Sequence, residues 1–260
     1  MTVTSDTEPV RLNRFLAQLG VGSRRTCDEL IAAGKVRVDG KRVRTPGVKV
    51  VPGDNSVEVD GVRLDKPARS LVLLLHKPTG VVSTVSDPEG RPTVIDMCKR
   101  FRNRMRLFPV GRLDINTTGA LLVTNDGLLC YRLTHPRFGI PKSYLVRVRG
   151  GYSDTKLERM QKMVGGLDPP APSRRTRASV ELVKRLDKVT ILKITLVEGR
   201  NRQVRNLCDS VGLKVVKLKR TNFGPISIRN VPLGSVRPLT KKELERLRRT
   251  VSIGANTNGH

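Results

Sequence analysis

Apolar residues first recur at helical spacing near the start of the chain. They occupy positions i, i+3, i+4 and i+7 as Leu12, Phe15, Leu16 and Leu19. This spacing places them on one face of a helix, which Gly20 would end in a left-handed conformation. A second helix is predicted between Ser23, a typical N-cap residue, and Gly34.

Valines then alternate with polar residues, which predicts short strands as far as residue 59. The dipeptides Asp39-Gly40 and Asp60-Gly61 favour tight turns beside these strands. The first part of the chain therefore predicts a pair of helices followed by a small twisted sheet.

Longer apolar stretches follow in the rest of the chain. Uninterrupted runs predict buried strands over residues 71–76, 120–124 and 191–197. Residues 141–150 alternate instead and predict a strand with Tyr144 on its apolar face. Residues 125–127 are typical of a turn.

Two helices are predicted near the end of the chain. The first has apolar residues at helical spacing and would end at Gly212; these residues are Val204, Leu207, Cys208 and Val211. The second is a short helix that begins at a capping box, Thr240 and Glu243, and ends near residue 249.

Length and composition narrow the class of protein. The chain has 260 residues, enough for one large domain or two unequal ones. Its longest apolar run, residues 71–75, is far shorter than the roughly 20 residues of a membrane span. The first ten residues lack the apolar stretch of a signal peptide. We therefore expect a cytoplasmic protein rather than a membrane or secreted one.

The cysteines do not have the spacing of a metal site. Cys27, Cys98, Cys130 and Cys208 are far apart, and the three histidines are scattered. We expect these thiols to be reduced and to lie in the core.

The net charge of the chain indicates which class of partner it binds. The formal net charge is +27, and the first 69 residues contribute only a small part of it. Basic residues cluster at 99–106, 174–177, 214–220 and 241–249. Such clusters favour a polyphosphate partner over a solvated face of mixed charge or an anionic membrane. Since Trp is absent and aromatic residues make up 3%, a structured RNA fits better than generic single-strand binding.

One polar loop is a candidate for chemistry. Asp114 lies in the sequence GRLDINTTG, between Arg112 and a predicted buried strand. By pattern alone such an aspartate is usually a turn former, although a nearby cation suits a nucleophile or base. Residues 198–206, EGRNRQVRN, follow a predicted buried strand and open a helix, and the glycine at the start of this helix suggests phosphate binding. Arg202 and Arg205 are three positions apart and would share a face of that helix. However, the sequence has no P-loop, dinucleotide-binding, zinc-protease or serine-hydrolase motif.

The motifs together carry a family resemblance. Residues 10–59 resemble the S4 RNA-binding domain, and the chain as far as about residue 238 resembles the RsuA/RluB family of pseudouridine synthases. The shared motifs are HKPTGVVST at 76–84, GRLDINTTG at 111–119, KSY at 142–144, EGRNRQVR at 198–205 and LKRTNFGPI at 218–226. The wording DINTTG and the segment HPRF at 135–138 are more similar to the large-subunit branch.

The resemblance implies an α+β fold and a specific active site. The fold is an N-terminal S4-type helix pair with a short sheet, then a larger mixed, mainly antiparallel sheet with flanking helices. The implied domains are residues 10–66 and 70–250, followed by a flexible tail at 251–260. Asp114 matches the catalytic aspartate, Tyr144 the tyrosine that stacks on the target uracil, and Arg205 the arginine that pairs with the carboxylate. We expect that carboxylate to be buried.

The remaining implied residues bind substrate. Leu218 matches the aliphatic residue that packs the base, and Arg112 and Lys142 complete the pocket. The residues implied to contact RNA are Arg24, Arg25, Lys35, Arg37, Arg200 and Arg202. Arg202 departs from the family wording, which has His or Tyr before Gln-Val-Arg. The implied reaction needs neither a cofactor nor a metal, and either attack on carbon or removal of a sugar proton would start it.

The implied partner is rRNA and the expected activity is isomerisation of a specific uridine to pseudouridine, most simply in 23S rRNA. A 16S rRNA target is one alternative, and we expect a monomer. A non-enzymatic ribosome-assembly factor built on the S4 module would explain the charge but not the two polar motifs. A DNA-binding regulator that uses the helix pair would require a palindromic duplex.

Overall fold

The computed structural model describes residues 8–64, 70–101, 105–165 and 178–253. Within these residues the chain forms two compact units, which divide near residue 70, with residues 105–106 grouped with the first unit. The boundary that we predict at residues 66–70 falls largely on residues outside this description. No helix in the described parts of the chain is long and apolar enough to cross a bilayer.

The N-terminal unit is a helix pair with small sheets. Its elements are β1 Val10–Arg11, α1 Leu12–Gln18, α2 Arg24–Ala32, β2 Val36–Val38, β3 Lys41–Val43, β4 Lys49–Val50, β5 Val57–Val59 and β6 Val62–Arg63. Strands pair in the order β3-β2-β5-β6, and β1 pairs with β4. The apolar faces of both helices pack on the inward-facing valines of the strands.

Local chemistry sets the ends of these elements as the sequence predicts. Ser23 Oγ accepts the backbone N–H of Thr26 at 2.9 Å and caps α2. Gly20 has a φ of 87°, and Asp39 and Gly40 have φ of 49° and 74°. Two consecutive left-handed residues match the twist of a tight hairpin, here between β2 and β3.

The second unit is a large sheet flanked by helices. Its strands are β7 Val72–Lys77, β8 Phe108–Pro109, β9 Thr118–Thr124, β10 Lys142–Arg149, β11 Ser179–Arg185, β12 Thr190–Leu196, β13 Lys214–Phe223, β14 Ile226–Ser227 and β15 Val236–Pro238. Its helices are α3 Gly127–Thr134, α4 Asp154–Gly165, α5 Gln203–Asp209 and α6 Lys241–Ile253. The main order is β11-β12-β10-β13-β9-β7-β15, with β8 on β9 and β14 on β13. Within this sheet only the β9–β13 pair is parallel, among the residues that the structure describes. The predicted α+β fold is confirmed.

The apolar runs are explained by burial on both faces. In β7, Leu74 packs in one cluster with residues of α3 and α6, whereas Leu73 and Leu75 pack in another with Val94 and Leu107. A third cluster lies between strands β10 to β13 and helices α4 and α5. Strands covered on two sides read as continuous apolar sequence rather than as alternation.

The two halves of this sheet join at one close backbone approach. Thr118 and Gly119 of β9 pair with Lys219 and Arg220 of β13. Gly119 has a φ of 122°, and a Cβ at this position would lie 2.2 Å from the carbonyl oxygen of Arg220. Only glycine fits there, and the contact brings the loop before β9 against β13.

Two predicted boundaries are wrong. The segment that reads as a turn at residues 125–127 begins helix α3, where Asp126 Oδ1 accepts the N–H groups of Leu128 and Leu129. The last helix has the predicted capping box, since Glu243 Oε2 accepts from Thr240 N at 2.8 Å, but it continues to Ile253. Val251 is buried, so the expected tail does not begin at 251. Residues 254–260 lie outside the described residues.

The cysteines are free thiols. Cys27, Cys98 and Cys208 are buried, and Cys130 is half-buried. Burial raises the pKa of Cys208 to about 12, with a further rise from Asp209. The predicted core position is confirmed for three of the four cysteines.

Candidate active site

A cavity of about 280 Å³ opens where strands β9, β10 and β13 meet. The loop before β9, the start of β10, the end of β13 and the segment before α5 line it. Seven of the predicted site residues are among the lining residues: Arg112, Asp114, Lys142, Tyr144, Arg200, Arg202 and Leu218. The fold thus gathers the motifs that are far apart in sequence.

Asp114 lines this cavity, and Arg205 lies beside it. Arg205 Nε lies 4.0 Å from Asp114 Oδ2, although 91 positions separate the residues. The arginine side chain is 17% exposed and the aspartate side chain is 47% exposed. The prediction of a buried carboxylate is therefore wrong: the aspartate faces the open cavity and the arginine supports it from helix α5.

A buried lysine holds the loop that carries Asp114. Lys77, at the end of β7, is fully buried. Its Nζ donates to the carbonyl oxygens of Pro78 at 3.0 Å, Asp114 at 3.1 Å, Ile115 at 3.3 Å and Thr117 at 3.1 Å. Burial lowers the pKa of Lys77 to about 8, Asp114 opposes this fall, and a neighbouring arginine adds to it. The sequence motif contains this lysine, but its pattern gave no sign of this role.

Further hydrogen bonds fix the same loop from the segment after β7. Gly80 N donates to Ile115 O at 3.0 Å. Ser83 Oγ donates to Leu113 O at 2.8 Å. The polar residues of the first shared motif thus set the conformation of the second.

Tyr144 and Leu218 form the apolar walls. Tyr144 is half-buried and packs against two of the core clusters. Leu218 is buried and pairs with Val146, two residues beyond Tyr144 in the β10–β13 ladder. Because alternate residues of paired strands share a face, both side chains line the cavity from the same side.

Two more buried cations line the cavity beside these walls. Lys142 Nζ donates to Ile140 O at 2.9 Å and lies 5.5 Å from the ring centre of Phe223. Arg220 Nε donates to Ala120 O at 2.7 Å, and its guanidinium lies 5.0 Å from the same ring. Burial, and then Arg220, lower the pKa of Lys142 to about 8. Sequence reasoning missed Arg220, since it reads as one more member of a basic cluster.

The segment before α5 differs from its prediction. The helix begins at Gln203, so Gly199 does not lead it, and Arg202 takes the N-cap position with a φ of 50°. Arg202 therefore precedes the helix and does not share a helical face with Arg205. Both Arg200 and Arg202 are exposed and line the cavity, where Arg200 Nε contacts Glu198 Oε2 at 3.0 Å.

The predicted RNA contacts of the N-terminal unit fall into two groups. Lys35 and Arg37 are exposed and line a shallow depression of that unit together with Arg42. Arg24 and Arg25 are exposed in the first turn of α2 and are not part of that lining.

One basic cluster is less accessible than its sequence indicates, whereas the basic residues of another are all exposed. Residues 214–220 form most of β13, where Arg220 is buried, and residues 241–249 belong to α6. Residues 102–104 and 174–177 lie outside the described residues.

Comparison with known proteins assigns the chain. A sequence model of the family described as RNA pseudouridylate synthase matches residues 71–210, more than half of the chain. The chain belongs to this family. The synthase is therefore an isomerase, and its N-terminal unit contains an S4 domain, matched over residues 10–56. The resemblance found in the sequence is confirmed.

Relatives match the synthase over nearly its whole length. It is 39% identical to ribosomal large subunit pseudouridine synthase B of Bacillus subtilis (strain 168), over 95% of this chain and 98% of the relative. It is 40% identical to an uncharacterized RNA pseudouridine synthase of Aquifex aeolicus (strain VF5), over 94% and 96%. A solved structure of a pseudouridylate synthase superposes with a TM-score of 0.59 at 26% identity, over 92% of this chain and 99% of the other.

Proposed function

We propose that the synthase converts one specific uridine of 23S rRNA to pseudouridine in the cavity around Asp114. The observation that carries this proposal is the placement of Asp114 and Tyr144 in the lining of one cavity, with Arg205 beside the aspartate. The name of the Bacillus subtilis relative supports the large-subunit target. We also propose that the protein acts in the cytoplasm as a monomer.

Substrate binding begins with extrusion of the target nucleotide. Flipping a base costs a few kcal/mol and is least costly in loops and bulges. Stacking of the base on the ring of Tyr144 would offset about 1–3 kcal/mol of this cost. Leu218 lies on the same side of the cavity as Tyr144 and extends the apolar wall against which the base packs.

Asp114 starts the reaction by separating the base from the sugar. Its carboxylate either attacks C1′ or removes the C2′ proton, and both routes break the C1′–N1 bond. The free uracil rotates within the cavity and C5 bonds to C1′. In the first route this step breaks the bond between Asp114 and C1′ and releases the carboxylate, and in the second route Asp114 returns the proton to C2′. The C5 proton then leaves while N1 gains a proton. Atoms and electrons balance within the nucleotide, so the net reaction is an isomerisation.

Arg205 positions this carboxylate and attracts it electrostatically. The 4.0 Å separation leaves the aspartate oxygens free to reach the sugar. The loop carbonyls that Lys77 binds keep the backbone of Asp114 in place at the same time.

Exposed cations hold the RNA around the cavity. Arg112, Arg200 and Arg202 surround the cavity opening and suit the phosphates that flank the flipped nucleotide. The exposed cations of the S4 domain add phosphate contacts further along the RNA: Arg24, Arg25, Lys35 and Arg37. Such contacts position the RNA but do not read its sequence.

The test uses separate 23S and 16S rRNA transcripts and maps new pseudouridine after incubation. We expect one major site in 23S rRNA. Asp114→Asn should abolish product while RNA affinity changes less than about threefold, since the carboxylate adds no attraction to phosphate. The matched control is Asp187→Asn, an exposed carboxylate that does not line the cavity.

Each alternative has its own outcome. Product in 16S rRNA alone contradicts the large-subunit target. RNA binding without any pseudouridine supports a ribosome-assembly factor, and full activity of Asp114→Asn contradicts the assignment of this residue.

A further inference from the structure

Two buried polar atoms at the cavity lack hydrogen-bond partners. They are Arg220 Nη2 and Thr117 Oγ1. Arg220 is 2% exposed and Thr117 is 1% exposed, and both residues line the cavity. Since buried polar groups in folded proteins are nearly always hydrogen-bonded, these two are the groups that a bound molecule is expected to satisfy.

Arg220 is held rigidly in position. Its Nε donates to Ala120 O, and its guanidinium packs on the Phe223 ring. Its backbone lies in β13 between Gly119 of β9 and Tyr144 of β10. A side chain fixed in this way presents its remaining N–H groups in one direction without further ordering.

The cavity also has an excess of positive charge in its interior. Lys142 lies over the same Phe223 ring as Arg220. Within the described part of the chain, neither cation has a carboxylate in ion-pair contact. Such an arrangement favours a ligand group that accepts hydrogen bonds and carries negative charge.

The pyrimidine ring is the part of the substrate that fits this description. Arg220 is paired directly with Tyr144 in the β10–β13 ladder, so their side chains share a face. A uracil stacked on Tyr144 would bring its edge towards this arginine. Uracil has two carbonyl acceptors, and when the C1′–N1 bond breaks the electron pair goes to the ring and spreads onto both oxygens. The phosphates have other cations available, since Arg112 and Arg202 are exposed.

We propose that Arg220, together with the Thr117 hydroxyl, binds a carbonyl oxygen of the flipped uracil and stabilises the negative charge that the base acquires during glycosidic cleavage. This role rests on the proposed function. When C5 bonds to C1′ the electron pair returns to the new bond. The guanidinium keeps its protons throughout, so it acts as an electrostatic donor and not as an acid.

The experiment starts with a stem-loop RNA of 23S rRNA that contains the uridine identified by mapping. Conversion by the wild-type protein establishes that the proposed function holds. Under single-turnover conditions Arg220→Met should then slow product formation by about 10²-fold, the usual effect of losing such a donor, while the Kd for RNA changes less than about threefold. Arg229→Met is the matched control, because this arginine is exposed and does not line the cavity.

Substrate analogues separate direct contact from a structural role. The target uridine is replaced by 2-thiouridine or 4-thiouridine, because sulfur accepts hydrogen bonds poorly. We expect one replacement to slow the wild-type protein at least about fivefold and to have little further effect on Arg220→Met, a coupling typical of groups in contact.

A second variant tests the proposal if Arg220→Met does not fold. Thr117→Val removes an unpaired buried hydroxyl at constant shape, so its thermal stability should equal or exceed that of the wild type. Its rate should nonetheless fall, and it should show the same coupling to one thio-RNA. The proposal is overturned if the rate loss of Arg220→Met and the rate loss of the thio-RNA simply multiply. If Arg220→Met does not fold, the same result for Thr117→Val overturns it. Either result would stand even though the wild-type protein converts uridine.

Discussion

Lys77 offers the sharpest test of how the fold positions Asp114. Substitution to Met keeps the length and apolar stem of the side chain but removes every donor from the loop carbonyls. Hydrogen bonds to a charged group contribute about 1.5–3 kcal/mol each, and a buried carbonyl without a donor costs about 1–3 kcal/mol. Of the four carbonyl contacts, the bond to Thr117 O is buried and the other three are partly buried.

The opposing effect is relief of a buried charge. Because the pKa of Lys77 is about 8 instead of 10.5, burial of its charged ammonium lowers the stability of the folded protein. At about 1.4 kcal/mol for each pH unit, this cost is roughly 3 kcal/mol. At the values above, the lost bonds to four carbonyls amount to at least about 6 kcal/mol and outweigh this cost. We therefore expect Lys77→Met to lower the free energy of unfolding by at least about 3 kcal/mol.

The assays are urea unfolding and single-turnover pseudouridine formation. Because the Asp114 backbone loses its anchor, the rate should fall by about 10²-fold, as for other misplaced catalytic groups. Lys217→Met is the control: that side chain is exposed, and its loss should change stability by less than about 0.5 kcal/mol. Wild-type stability and rate in Lys77→Met would refute the reasoning.

The pH dependence gives a second measure of the same group. Since the pKa of Lys77 is lower in the folded protein than in the unfolded chain, the unfolded state binds more protons between pH 8 and 10.5. The penalty is complete below pH 8 and is relieved as the pH rises through this window. The stability advantage of the wild type over Lys77→Met should therefore widen from pH 8 towards 10.5. A constant difference would show that no charged lysine is buried there.

Three further substitutions test other parts of the synthase. Arg205→Ala should reduce the single-turnover rate by about 10²-fold. Because Asp114 is half exposed, the free energy of unfolding in urea should change by less than about 1 kcal/mol. A large loss of stability would contradict this. Gly119→Ala should lower stability by more than about 3 kcal/mol, since its Cβ would meet the β13 backbone at 2.2 Å; a Tm like that of the wild type would count against the close approach. Two hydrogen bonds of 2.7 Å from Arg237 hold the pKa of Glu243 at about 2 instead of 4.5. Glu243→Gln should therefore lower the free energy of unfolding by about 1–2 kcal/mol at pH 7. In urea titrations this difference should shrink as the pH falls from 4.5 towards 2.

The elements that sequence predicted well are those set by local chemistry. Ser23 caps a helix and Asp39-Gly40 forms a hairpin because their own side chains and backbone angles favour these conformations. Helix α3 was missed because Asp126 is as common in turns as at N-caps. Nothing local distinguished the two until the apolar residues that follow had a sheet to pack against.

The site was predictable in its members but not in its geometry. Asp114 and Arg205 were paired through family resemblance, since no local pattern relates residues 91 positions apart. The exposure of Asp114 could not be read from the sequence, because it depends on a cavity formed by three separate strands. Lys77 and Arg220 look like ordinary cations in sequence, and only burial by the surrounding sheet distinguishes them.

The parallel contact between β9 and β13 has a consequence for how this enzyme would fail under stress. It consists of two residue pairs, it lies between two of the three core clusters of the second unit, and Tyr144 touches both of these clusters. A slight slip of one core against the other would displace the aspartate from the tyrosine while leaving each core intact. Catalytic activity should thus be lost on mild heating, at temperatures where circular dichroism still shows a fully folded chain.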